Sequence, residues 1–197
     1  MDAIALNCSL KSAGGSTQVL LDEVADALRS HDVGTTSVRV VDLDIKPGVA
    51  SDEGDGDAWP DLRRQILDAD IVVLGTPIWL GQPSSVVKRV LERMDAFLGE
   101  TDDQGRMISY DKVALVAVVG NEDGAHHVSA ELYQALNDVG FTLPASAVTY
   151  WVGEAMQGID YKDKHPRPEK TQSATEGAVR NAVHLARLLN AQGYPAG

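Results

Sequence analysis

The sequence predicts a doubly wound α/β protein: a three-layer fold of five parallel strands in the order 2-1-3-4-5, with helices on both faces. Three observations predict it. Short apolar runs alternate along the chain with longer segments of helical period. The apolar runs are continuous rather than alternating, as strands buried on both faces read. A chain of 197 residues holds five such units, whereas the six-strand dinucleotide fold needs more chain. One domain spanning residues 1–197 is expected.

Each element follows from its own pattern. Residues 3–7 open the chain as a buried strand would, and a Gly/Ser loop follows. A helix is expected over 17–30, where Leu20, Leu21, Val24, Ala25 and Leu28 share one face and Ser16 or Thr17 can cap the start. Residues 37–43, with Val38, Val40 and Val41, read as the second strand. Helical spacing resumes over 59–69 through Leu62, Ile66 and Leu67. A fully apolar third strand covers 71–75. The stripe Val87, Val90, Leu91, Met94 and Leu98 predicts a helix over 84–98. Residues 113–119 are the strongest strand, followed by a helix over 127–139. A fifth strand is expected within 142–152 and a closing helix over 175–190.

Composition excludes several classes. The formal net charge is −12, with 29 acidic residues against 17 basic, so phosphate backbones repel this chain and nucleic-acid binding is not expected. A bound anion must then be held by local backbone geometry. The single cysteine, Cys8, leaves no intrachain disulfide and no multi-cysteine metal site. The N-terminus lacks a basic stretch before an apolar core, and no window approaches the length of a membrane span. The cytoplasm is the expected compartment.

In a sheet of this order, ligands lie at the carboxyl ends of the strands beside the switch between strands 1 and 3. Three loops meet there: residues 8–17, 76–84 and 120–127. The first, Cys8-Ser9-Leu10-Lys11-Ser12-Ala13-Gly14-Gly15-Ser16-Thr17, combines hydroxyls, glycines and one lysine at a helix N-terminus. Such a loop binds phosphate, and its shortness suits a monophosphate. Ser9, Ser16 and Thr17 are the expected contacts, with Lys11 beside them. It is neither a Walker A loop nor G-x-G-x-x-G, and an ordinary βα turn capped by Ser16 or Thr17 reads the same way. Cys8 reads as a small buried residue rather than a nucleophile.

The second loop, Gly75-Thr76-Pro77-Ile78-Trp79-Leu80-Gly81-Gln82-Pro83-Ser84, is stiffened by two prolines and offers a flat indole. Trp79 suits either a planar ring or packing beneath the loop. The segment resembles the flavin loop of the flavodoxin-like NAD(P)H-dependent FMN reductases and their quinone-reductase relatives, Gly-Ser/Thr-Pro-x-Tyr-x-Gly, with Trp79 where tyrosine is usual. The stretch from Pro83 through Lys88 to Asp95 resembles that family's following helix. The first loop resembles its phosphate loop, with extra residues between Lys11 and Ser16.

The resemblance implies a set of expectations. FMN is the cofactor and NAD(P)H the donor, with hydride passing to flavin N5 and onward to a small acceptor such as free flavin or a quinone. Thr76, Pro77, Ile78, Trp79, Leu80 and Gly81 wall the ring, and backbone amides near 77–80 meet its pyrimidine side. In the third loop, Gly120, Asn121 and Gly124 contact the ribityl chain and ring edge. No catalytic side chain is required, since the chemistry sits on the flavin. A homodimer or homotetramer is implied, built largely from the helices after strands 3 and 4. A flavodoxin-type electron carrier without its own substrate is the alternative.

Three other features carry chemistry-bearing residues. His126 and His127 read as helix-start or solvent-facing groups rather than metal ligands. The acidic run 52–57 reads as a solvated, mobile loop, lacking the terminal glutamate of a calcium loop. Tyr150 and Trp151 offer a pocket wall or cover over the core. Residues 160–170 read as an exposed connection.

Overall fold

The computed structural model describes residues 1–11 and 14–196; Ser12 and Ala13 of the first loop lie outside the described residues. Five parallel strands run in the expected order: β2 (Gly34–Arg39), β1 (Asp2–Asn7), β3 (Ile71–Trp79), β5 (Val113–Val119) and β6 (Val148–Trp151). A sixth, two-residue strand, β4 (Gln82–Pro83), folds back antiparallel on the end of β3. The helices are α1 (Ser16–Arg29), α2 (Trp59–Asp68), α3 (Ser85–Met94), α4 (Ala125–Asp138) and α5 (Glu169–Ala191).

The layers follow from alternation along the central strands. Val72 and Leu74 of β3, with Ala114, Val116 and Val118 of β5, face α2, α3 and α4 through Leu62, Ile66, Val90 and Leu132. Ile71, Val73, Val113 and Leu115 face α1 and α5 through Leu20, Val24, Val179 and Val183. Both sheet faces are therefore covered, which is why these strands carry no polar alternation. No helix among the described residues is long and apolar enough to cross a membrane.

Several boundaries depart from the sequence pattern for identifiable reasons. β2 starts earlier and stops earlier than the apolar run: its register ends at Asn7↔Arg39, where β1 ends, and Val40 turns into a 3-10 turn. Its first half, Gly34-Thr35-Thr36, is polar because it lies at a partly exposed sheet edge. β3 continues past Gly75 through Thr76 and Pro77, because β5 supplies partners as far as Pro77↔Val119. β6 is shorter than expected; Pro144 and Ser146 (φ 59°) interrupt the run, leaving a single bridge at Thr142↔Val113. α3 ends at Met94 and tightens into a 3-10 turn, whereas α5 begins six residues early, in a polar first turn without an apolar stripe.

Candidate functional site

The carboxyl ends of β1, β3 and β5 meet at a narrow cleft of about 60 Å³. A larger cavity of about 560 Å³ lies away from the strand ends, between α1 and α5. The cleft is nonetheless the candidate site, because residues of three loops at the strand ends converge there.

The first loop is shaped by Asn7, at the last position of β1. Its Oδ1 accepts from Ser9 N at 3.0 Å, and its Nδ2 donates to Gln18 of α1 at 2.8 Å. Ser9 Oγ accepts from Lys11 N at 3.2 Å, and the Arg39 guanidinium donates to the Lys11 carbonyl at 2.8 Å. Gly15, not Ser16 or Thr17, holds the N-cap of α1. Among the described residues the helix has no side-chain cap and no acidic residue in its first turn. No carboxylate among them meets its first N–H groups and positive end. Ser16 and Thr17 are the first helical residues, and both line the cleft with Ser9 and Lys11.

The second loop is the tip of the β3–β4 hairpin. Leu80 (φ 54°) and Gly81 (φ 73°) make the turn, and both backbone N–H groups donate to the Glu122 carboxylate, at 3.2 and 3.3 Å. Consecutive left-handed residues point neighbouring amides at one anion. Glu122 thus staples the second loop to the third. The third loop comes close because it is glycine-rich: a Cβ on Gly120 would stand 3.0 Å from Ile78 Cβ, and one on Gly124 (φ 127°) 3.0 Å from Gly81 Cα.

Of the residues singled out by sequence, Ser9, Lys11, Ser16, Thr17, Pro77, Ile78, Trp79, Gly120 and Asn121 line the cleft. Thr76 does not. It is fully buried behind the cleft, where its hydroxyl accepts from Ser84 N at 3.1 Å. Ser84 in turn donates to the Cys8 carbonyl at 2.6 Å and caps α3, tying the first loop to the second. Leu80, 92% exposed, projects outward; Gly81 and Gly124 touch each other at the loop contact rather than lining the cleft.

A fourth wall was not visible in the sequence. Asp160 and Tyr161, read as an exposed connection, close one side of the cleft. Asp160 accepts from Asn121 Nδ2 at 3.3 Å and pairs with Lys11 Nζ at 3.5 Å, bridging the first and third loops. Lys162 N donates to Ser16 Oγ, and Met156 N to the Asn121 carbonyl. Tyr161 is fully buried against Trp151, and its hydroxyl donates to Glu23 of α1 at 2.5 Å; Arg167 donates to the same carboxylate at 2.7 Å. Burial, then the neighbouring carboxylate, holds the Tyr161 hydroxyl protonated well above the usual tyrosine range. Trp151 consequently covers the core, and only half-exposed Tyr150 faces outward, edge-on to His126. Nothing in residues 160–167 is periodic or motif-like, so these contacts had no local signal; Glu122 stood in a quoted loop, but its role depends on the hairpin opposite.

The remaining sequence expectations resolve by burial and pairing. Cys8 is fully buried, which pushes its thiol far above the ordinary range and leaves no nucleophile there. His127 pairs with Glu131 on its own helix at 2.9 Å. The acidic run is not a wholly solvated loop. Asp57 is buried with Arg93 of α3, whose guanidinium also donates to the carbonyls of Lys46 and Ala50, so the run wraps a buried cation.

The sequence profile described as NADPH-dependent FMN reductase matches residues 1–157. The chain belongs to that family. Its fold is flavodoxin-like. Two curated proteins are similar over nearly the whole chain. One is an 8-demethyl-8-aminoriboflavin-5'-phosphate synthase of Streptomyces davaonensis, 33% identical over 98% of this chain and 80% of that protein. The other is a divalent metal cation transporter, MntH, of Mycobacterium bovis, 35% identical over 96% of this chain; the chain spans only 29% of the transporter's length. Among solved structures, RosB with its bound intermediate 8-demethyl-8-formylriboflavin-5'-phosphate superposes with a TM-score of 0.88. It is 32% identical, over 98% of this chain and 82% of that one. The family match ends at residue 157, so Asp160 and Tyr161 lie just beyond it.

Proposed function

We propose that the cleft holds FMN and that the protein passes hydride from NAD(P)H through the flavin to a small acceptor, free flavin, quinone or a similar oxidant. The observation that carries this reading is the donor set. A helix N-terminus with no side-chain cap among the described residues, three hydroxyls and one ammonium converge at the switch of the sheet, in a protein whose net charge of −12 would otherwise repel a phosphate. Ser9, Ser16, Thr17 and Lys11 would hold the phosphate; Pro77, Ile78, Trp79, Gly120 and Asn121 would border the ring and ribityl chain. When bound, FMN supplies the hydride-accepting ring, and the protein orients it and limits solvent access. Family membership supports the same reading. A cytoplasmic homodimer or homotetramer belongs to the proposal.

A second reading is favoured by the riboflavin-5'-phosphate synthase relative and the RosB structure with its riboflavin-5'-phosphate intermediate: the flavin is itself the substrate rather than a retained cofactor. Both readings place a flavin monophosphate in the same cleft. The visible spectrum of the purified protein, followed by titration with FMN, tests the shared part; no flavin absorbance and no uptake would refute it. NAD(P)H consumption with added quinone then separates the two. Multiple turnovers of NAD(P)H with unaltered FMN support the reductase, while a new flavin chromatographing apart from FMN supports flavin conversion. Binding with neither activity points to an electron carrier.

A further inference from the structure

Among the described residues lining the cleft Lys11 is the only cation, and it is already engaged at both ends. Its carbonyl is held by Arg39 at 2.8 Å and its ammonium by Asp160 at 3.5 Å. Asp160 is the more sheltered member of that pair, with its side chain 28% exposed against 58% for Lys11. Asn121 fixes the second carboxylate oxygen, and burial of the adjacent Tyr161 fixes the backbone beneath it. Asp160 is therefore an anchored anion facing a movable cation. A second carboxylate, Glu122, lines the same cleft but is spent on the amides of Leu80 and Gly81.

This arrangement conflicts with simple tight retention of a phosphate. A dianionic phosphate at the α1 N-terminus gains the helix end and the hydroxyls, yet it must compete with Asp160 for Lys11 and approach a fixed negative charge. We propose that Asp160 is a specificity-determining residue that competes with the ligand's phosphate for Lys11, lowering affinity so that the flavin monophosphate exchanges rather than being held permanently. The inference rests on the flavin reading of the cleft and deepens it. It also assigns a role to a residue beyond the stretch the family profile matches. An uncharged isostere at this position removes the competitor and leaves the Asn121 contact available.

The test is a fluorescence titration of riboflavin 5'-phosphate, and separately of riboflavin, into the full chain and its variants. Asp160→Asn is expected to bind riboflavin 5'-phosphate about tenfold more tightly than the wild type at low salt, a gain that shrinks as ionic strength rises. Riboflavin, lacking the phosphate, is expected to show no gain. In a Lys11→Met background the Asp160→Asn gain is expected to fall below about threefold, because the contested cation is gone. An unchanged or weakened affinity in Asp160→Asn overturns the inference, as does an equal gain for riboflavin or a gain undiminished by Lys11→Met. If wild type and every variant bind neither flavin, the cleft reading falls and this inference with it. If the wild type binds riboflavin 5'-phosphate but Asp160→Asn shows no gain, only the inference falls.

Discussion

Arg93 and Asp57 form an ion pair, Nη2 to Oδ2 at 2.8 Å, with neither side chain exposed to solvent. The pair fastens the acidic loop to α3. Asp57 also accepts from the backbone N–H groups of Lys46, Glu53 and Trp59, and the guanidinium lies 5.5 Å from the Trp59 ring. A buried pair so fully satisfied is costly to break from one side, since the survivor is left charged and unpaired. Arg93→Met is expected to lose about 3–5 kcal/mol of unfolding free energy. The double variant Arg93→Met, Asp57→Leu should recover part of it, measured by urea denaturation. A neutral Arg93→Met would show that the pair contributes nothing.

Burial pushes the Asp57 carboxyl upward, but the Arg93 guanidinium and three backbone donors outweigh it and hold the carboxyl well below the usual range. A group depressed in the folded state adds stability that is complete above its unfolded pKa of about 4 and is lost as pH falls toward the folded value. Wild-type unfolding free energy should therefore drop in this acid window more than that of Asp57→Asn. Parallel pH profiles for the two proteins would contradict the assignment.

Ser16→Glu separates folding from binding. A carboxylate in the first turn of α1 complements the helix end and should leave the melting temperature unchanged or raised. The same charge stands where the proposed phosphate sits, so FMN affinity should fall at least tenfold. Equal affinity by titration would remove the phosphate from the α1 N-terminus.

Glu122→Ala frees the amides of Leu80 and Gly81 and releases the second loop from the third. Hydrogen exchange at these two amides should accelerate, while amides in β5 remain protected. Unchanged exchange would show that the hairpin holds its shape without the staple.

Gly124→Ala places a methyl 3.0 Å from the Gly81 backbone in a conformation, φ 127°, that side chains resist. The expected cost is about 1–3 kcal/mol, with weaker FMN affinity by titration. Gly75→Ala gives a contrast: its Cβ would lie 2.7 Å from Leu21 Cδ1, a core side chain, so it should lower the melting temperature first. Equal behaviour of the two would argue that the Gly124 contact does not shape the cleft.

Tyr161→Phe removes the hydroxyl that donates to Glu23 while keeping the ring against Trp151. The loss should be about 1 kcal/mol, with faster limited proteolysis between residues 153 and 168. An unchanged cleavage rate would mean that the hydroxyl does not anchor the fourth wall.

Legible in the chain's own pattern were the alternation of strands and helices, the two covered sheet faces and the three loops that follow the central strands. Those features are local: continuous apolar runs such as 113–119 and helical stripes such as Leu20–Val24–Leu28 state their burial within a few residues. Nine of the thirteen residues named from loop composition and family likeness line the cleft for the same reason, since a loop inherits its place from the strand it ends. Only the tertiary structure decided that Thr76 turns inward to Ser84 and that Asp57 is buried with Arg93. It alone brought Asp160 across to Lys11, 149 residues away in sequence. Such pairings join segments with no shared pattern, and a charge reads the same in sequence whether water or a distant partner neutralises it.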